Sequence, residues 1–367
     1  MMFGAVQLGL LAACVVLFVP MGMAGWHLSR NKMLFFSCAL FITLAVGVHL
    51  MPYFPSVSDF LSPTDIITSP TGESSLRRDS CLFFLHSGVY SADDECENDN
   101  GCKKRSWEWI QSGKVAECQF QRLKKLDASI LLNGSWVVVA GDSQARLMVV
   151  SLLELVMGSE EMERVRGDLF KRHTDYSVVV DEIALKLDFL WAPYVRNLTE
   201  LMVRFKGNNN YPDVVVMGAG LWDMLHLNNV SDYGVSLTQF KDSCLALMPV
   251  SSDLDAIDGG LSQAPSNQLV HFFWLGIPTL INSILNTAEK RERMTDTVCD
   301  LYNNKLIESE LLRQSGGPLL NLDIRLLSEL CGPQCTVDGM HYDQLVYDAA
   351  VQIMLNALLI ESNQKLQ

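Results

Sequence analysis

Trp136-Val-Val-Val-Ala-Gly-Asp-Ser143 is the stretch on which the fold turns. Its first five residues are apolar, with three β-branched side chains in succession, as a strand buried on both faces requires. Gly141 permits a tight turn, and helix-forming residues run from Gln144 to Met157. A strand that passes directly into a helix is half of a βαβ unit. The same grammar recurs downstream: Asp213–Met217, Leu269–Leu275 and the weaker Leu319–Asp323 read as strands, and Tyr342–Glu361 as a long terminal helix. Strands separated by helices predict an α/β fold, a parallel sheet between two helical layers. No internal repeat is present.

Parallel sheets of this kind bind ligands at the carboxyl ends of their strands. Gly141-Asp142-Ser143 falls at such an end, with Ser143 at the start of a helix whose backbone N–H groups can stabilise an oxyanion. The bland alternative is that Asp142 or Ser143 simply caps that helix. A serine nucleophile needs a base. Near the C-terminus, Asp338-Gly-Met-His341 precedes the last helix. Three-residue spacing in a turn lets Asp338 accept from His341 Nδ1, leaving Nε2 to take a proton from Ser143. Here too the alternative is a helix cap beside an exposed histidine. His86, His173, His226 and His271 have no comparable partner spacing and read as core or surface residues.

Taken together, Gly-Asp-Ser after the first strand and Asp-x-x-His before the last helix resemble the SGNH/GDSL-type hydrolases, and with them a three-layer α/β/α fold. The stretch Cys96, Cys102, Arg105-Ser-Trp107-Glu-Trp109, Cys118 and Gly141-Asp-Ser-Gln-Ala-Arg146 narrows the resemblance to the PC-esterase group that includes the trichome-birefringence-like polysaccharide O-acetyltransferases, nearest to the altered-xyloglucan-nine type. It covers roughly residues 81–360. The resemblance implies Golgi acetylation of wall polysaccharides, with Ser143, His341 and Asp338 catalytic. Two departures matter. Cys331 and Cys335 precede the Asp-x-x-His motif rather than surrounding it. The block that supplies oxyanion donors in SGNH enzymes reads Gly218-Ala-Gly220-Leu-Trp222-Asp223, with Trp222 in place of an asparagine. The oxyanion hole is therefore expected from the backbone of Ser143 and Gly220, with Trp222 as donor or, more simply, wall. Arg146 either holds the site loop or contacts the acyl donor.

The N-terminus is of another kind. Residues 1–29 and 33–58 carry no charged side chain, and Arg30 and Lys32 lie between them. Ala5–Trp26 and Met33–Phe54 are each long enough to span a bilayer. We expect one or two transmembrane helices in residues 1–58, a Ser/Pro/Thr-rich stem over 59–80 and a catalytic domain over 81–367. Arg30 and Lys32 are expected to remain cytoplasmic, which places the domain in a lumen or outside the cell. Cys81, Cys96, Cys102, Cys118, Cys244, Cys299, Cys331 and Cys335 are disulfide candidates in an oxidising compartment, in any of 105 pairings. Asn133, Asn197 and Asn229 begin glycosylation sequons. The cysteine spacing does not read as a zinc site, and the acidic loop Asp93–Glu97 lacks an EF-hand pattern, so no metal is expected.

Net charge is −14, and beyond residue 58 there are 26 basic against 42 acidic residues. That balance disfavours nucleic acid as a partner. The expected partners are a polysaccharide acceptor, an acetyl donor such as acetyl-CoA or an acetylated carrier (no tightly bound cofactor), and other membrane proteins of an acetylation pathway. Three functions remain open on the sequence: O-acetyl transfer through an acyl-serine, acetylester hydrolysis by the same groups, and non-catalytic glycan binding.

Overall fold

The structure, a computed structural model, describes residues 80–93, 104–248 and 270–362. The expected membrane segments, the stem up to residue 79, the acidic loop past Asp93, and Cys96 and Cys102 lie outside the described residues.

An antiparallel pair comes first: β1 (Gly88–Asp93) against β2 (Lys104–Trp109), Gly88 facing Trp109. Two short helices, α1 (Gly113–Glu117) and α2 (Lys125–Leu131), lead to β3 (Trp136–Gly141). Then follow α3 (Ser143–Val156), α4 (Ser159–Leu169), β4 (Tyr176–Val180), β5 (Leu185–Trp191), α5 (Val195–Asn208) and β6 (Val214–Met217). Next in the chain are α6 (Val230–Leu245), β7 (His271–Leu275), α7 (Ala288–Arg293) and α8 (Asp296–Glu308). The chain closes with β8 (Leu320–Leu322), α9 (Ile324–Cys331) and α10 (Gln344–Ser362).

The main sheet runs β4-β5-β3-β6-β7-β8 among the described residues. Every neighbour pair is parallel except β4 with β5. The four strands expected from the sequence are all there, and β4 and β5 are additional. Their pattern explains the difference. In β5, Leu185, Leu187 and Phe189 are buried while Lys186 is exposed, and in β4 Ser177 and Val179 face solvent. Such alternation is the mark of a half-buried strand, not of the continuous apolar run that betrays β3.

Both faces of the sheet are covered. Val137 and Val139 point into one core with Met148 of α3 and Ile353 of α10. Val138 and Ala140 point into the other with Leu198 of α5 and Phe240 of α6. The period of two along β3 thus divides its side chains between two helical layers. The α10 helix is long and apolar enough to cross a bilayer, but most of it is buried in this packing. Its Gln352 and Asn356 carry polar groups into the core, where they bond the backbone of Leu123 and Gln121.

Cys81 is bonded to Cys118, and Cys331 to Cys335. Cys244 and Cys299 are free thiols, which corrects their assignment as disulfide candidates. Cys244 is fully buried on α6 in the second core. Cys299 on α8 rests its sulfur 3.9 Å from Met224 Sδ. Both serve as small apolar packing groups. Burial pushes the Cys299 thiol up to about 11 and that of Cys244 further still.

Candidate active site

The carboxyl ends of β3, β5 and β6 lie side by side, with Gly141 level with Trp191 and Ala140 level with Met217. Ser143 begins α3 two residues beyond the end of β3. The first turn of a helix leaves its N–H groups without intrahelical partners. Asp142 is the cap and takes one of them, accepting from Gln144 N–H at 2.9 Å. The capping role considered for Asp142 is therefore real, and it leaves the Ser143 side chain unused by the cap.

That side chain meets the far end of the sequence. Ser143 Oγ is 2.8 Å from His341 Nε2, across 198 residues. His341 Nδ1 is 2.7 Å from Asp338 Oδ2. The Asp338 loop is built to hold this arrangement. Asp338 Oδ1 accepts the backbone N–H groups of Met340 (3.0 Å) and His341 (2.8 Å). Thr336 Oγ1 accepts from Gly339 N–H and donates to His341 O. The Cys331–Cys335 bond closes the chain just upstream. Tyr342 Oη donates to Thr279 O at 2.7 Å, and Ile281 N–H to Gly339 O at 2.9 Å, tying the loop to the segment after β7.

A residue that the sequence reading passed over completes the join. Gln144 donates through Nε2 to Met340 O at 3.1 Å and accepts the Tyr347 hydroxyl. It thereby bonds the serine helix to both the histidine loop and α10. No local signal marks it, because a glutamine after a cap is ordinary until its distant partners are known.

Electrostatics distinguish the carboxylates. Burial alone would raise Asp338, but the hydrogen bonds from His341 and Met340 outweigh it and hold the group below its ordinary range. Asp142 is buried with less compensation, and burial pushes it up to about 6 against the pull of Gln144 N–H, His341 and Arg146. Asp223 is likewise raised to about 6, by burial first. The Asp338 and His341 side chains are 31% and 37% exposed, so the pair is open to solvent.

The Asp142 shift has a measurable consequence. Its folded value lies above its ordinary 3.8, so between about pH 4 and 6 the folded state holds more protons than the unfolded one. The destabilisation from burying its charge is absent below about 4 and complete above about 6. Asp142→Asn keeps an acceptor for Gln144 N–H and removes the charge. We expect it to stabilise the protein relative to the parent by on the order of 3 kcal/mol at pH 7 and by nothing at pH 4. Urea unfolding at a series of pH values measures this. A difference that does not grow with pH contradicts it.

The remaining sequence candidates are distributed as follows. Gly220 follows β6, buried, at φ +134°, where a Cβ would strike Ile277. Trp222 packs in a ring cluster with Trp191 (5.5 Å), His173 (5.1 Å), Tyr194 (6.0 Å) and His226 (4.8 Å). His173 and His226 belong to the same cluster. Arg146 is 8% exposed, its guanidinium 5.1 Å from both the Phe189 and Trp191 rings. Its Nε and Nη2 atoms are buried without a hydrogen-bond partner. His86 accepts from Asp323 N–H, and His271 pairs with Glu361, so both are structural. Asn133 is exposed in the turn before β3. Asn197 Oδ1 accepts from Tyr194 N–H at the start of α5, and Asn229 caps α6.

No protein-family model matches the chain. The chain is 54% identical over 377 residues to Protein ALTERED XYLOGLUCAN 9 of Arabidopsis thaliana, and the match covers 100% of each. It is 22% identical over 282 residues to N-acetylneuraminate (7)9-O-acetyltransferase of Danio rerio, covering 76% of this chain and 30% of that protein. Among solved structures, the acetylxylan esterase Axe2 of Geobacillus stearothermophilus aligns at a TM-score of 0.32 and 15% identity, over 64% of this chain and 97% of that one.

Proposed function

This chain belongs to the ALTERED XYLOGLUCAN 9 family, and on that premise we propose that it is an O-acetyltransferase acting on a cell-wall polysaccharide, xyloglucan or another hemicellulose, through an acetyl-serine intermediate. The observation that carries the reading is the unbroken contact from Ser143 Oγ through His341 to Asp338, at 2.8 and 2.7 Å. The likeness to an N-acetylneuraminate O-acetyltransferase supports the same chemistry.

In this reading Ser143 Oγ attacks the acetyl carbonyl of the donor while His341 Nε2 takes its proton. Asp338 keeps Nδ1 protonated and stabilises the imidazolium. The developing oxyanion is held by the Ser143 and Gly220 N–H groups. His341 returns the proton to the leaving group, and the donor's remainder departs. A sugar hydroxyl then gives its proton to His341 and attacks the acetyl-serine. Ser143 leaves, taking the proton back. Arg146, with two buried donors unpaired, contacts the acyl donor, either acetyl-CoA or an acetylated carrier. We place the protein in the Golgi membrane with this domain luminal, beside other membrane proteins of the acetylation pathway. Residues 1–58 are the anchor, 59–80 the stem, and Asn133, Asn197 and Asn229 the glycan sites.

The second reading is acetylester hydrolysis with the same groups. The exposure of His341 favours it, because water reaches the base. Incubation of the full-length chain with ¹³C-acetyl donor, with and without xyloglucan oligosaccharide, tests both. Acetyl transfer predicts a labelled acetyl group on Ser143 that disappears into the glycan when the acceptor is added. Discharge to acetate at the same rate with and without glycan would favour hydrolysis. Absence of any Ser143 adduct under quenched conditions would remove the acyl-serine altogether.

A further inference from the structure

At the β8 edge of the sheet lies a cavity of about 690 Å³ that none of Ser143, His341, Asp338 and Arg146 lines. One wall is a stripe of α8 at helical spacing, carrying Asp296, Cys299, Asp300 and Asn303. β8, the start of α9 and Gly276–Leu280 just beyond β7 also line it. Its size is that of a ligand pocket, and it opens beside the strand ends where sheets of this class bind ligands. It is also coupled to the reacting groups. Thr279 O holds the Tyr342 hydroxyl, and Ile281 N–H holds Gly339 O, so the segment after β7 that lines the cavity is bonded to the loop that carries Asp338 and His341.

The lining selects its occupant. Asp296, Asp300, Asp323 and Glu329 stand against one cation, Arg325, whose Nη2 is already 2.8 Å from Asp300 Oδ1. An anion entering here would meet net negative charge. The neutral lining atoms instead ask for hydroxyl partners. Asn303 and Gln314 contribute side-chain amides to the lining, and Ser315 a hydroxyl. Carboxylates, amides and a hydroxyl around a space of this size form a set suited to sugar hydroxyls.

We propose that this cavity is the acceptor subsite, taking a neutral polyhydroxylated oligosaccharide and excluding anionic ligands. The choice of a sugar chain rests on the acetyl-transfer reading above. The acyl donor, if anionic, is then confined to the Arg146 side of Ser143.

The test uses the full-length chain with Ser143→Ala, so that binding is read without turnover. Xyloglucan oligosaccharide is titrated by calorimetry into this protein and into the same protein with Asn303→Trp, which fills the cavity from α8. Affinity is expected to fall about tenfold or more. A urea unfolding midpoint of Asn303→Trp close to that of the parent shows that the variant folds. A second measurement needs no variant: hydrogen exchange over residues 296–308 should slow when the oligosaccharide is added. Coenzyme A should neither bind there nor displace the sugar. No binding of the oligosaccharide, equal affinity in Asn303→Trp, unchanged exchange on α8, or displacement by coenzyme A would each overturn the assignment. Failure of the acyl-serine chemistry shows separately, as p-nitrophenyl acetate cleavage that does not depend on Ser143.

Discussion

Ser143→Ala is expected to lower acetyl-ester turnover by about 10³-fold or more, His341→Ala by a similar factor, and the double variant by little beyond either single one. The groups act as one unit: without the base the hydroxyl is not activated, and without the hydroxyl the base has nothing to activate. Asp338 separates geometry from chemistry. Its Oδ2 faces His341 Nδ1, while its Oδ1 holds the N–H groups of Met340 and His341. Asp338→Asn preserves an acceptor for the backbone and so the loop, but it offers the ring an amide that cannot stabilise an imidazolium. Turnover should fall by roughly 10³–10⁴-fold with near-native stability. Asp338→Ala should lose the loop bonds as well, at about 1–2 kcal/mol. Fluorophosphonate labelling of Ser143, followed with p-nitrophenyl acetate turnover and urea unfolding, reads all of these. Parent-level turnover in Ser143→Ala would falsify the mechanism outright.

What the sequence disclosed follows a physical division. β3 was legible because five apolar residues in succession leave no other comfortable place than a sheet interior. Asp338 and His341 were legible as a pair because their bond lies within one turn. The meeting of Ser143 with His341 was not contained in any local spacing. It depends on α10 lying against α3 in the first core and on Gln144 bonding both Met340 and Tyr347. β4 and β5 escaped because half-buried strands spread their signal over polar positions. The cysteines show the opposite error. An even count suggested up to four bonds, yet Cys244 is a free thiol enclosed in the core beside α6. Trp222, read as donor or wall, packs among rings that come from β5 and the start of α5, contacts no local spacing foretells.

The second large effect is expected where three strands stop. β3, β6 and β7 are each followed or closed by glycine: Gly141, Gly218 and Gly276. These glycines let neighbouring strand ends approach more closely than side chains permit. A Cβ on Gly141 would lie 2.5 Å from Gly218 O and 2.8 Å from the Ala145 side chain. On Gly218 it would lie 2.7 Å from Leu275 O. On Gly276 the nearest atom, Leu322 O, is 3.4 Å away. In the first two cases the obstacle is backbone held by the sheet itself, since Gly218 N–H donates to Ala140 O and Ala192 N–H to Gly141 O. It cannot swing aside as a side chain would. Gly141→Ala and Gly218→Ala should therefore each destabilise by about 2–3 kcal/mol, and Gly276→Ala by about 1 kcal/mol or less. Activity should follow the same order more steeply. Gly141 is two residues from Ser143, and a displacement of about 1 Å at a reacting atom can cost about 10²-fold in rate. Urea midpoints and p-nitrophenyl acetate turnover on the three variants give the ranking. If Gly276→Ala proved the most damaging, close approach of the strand ends would not be what these glycines provide.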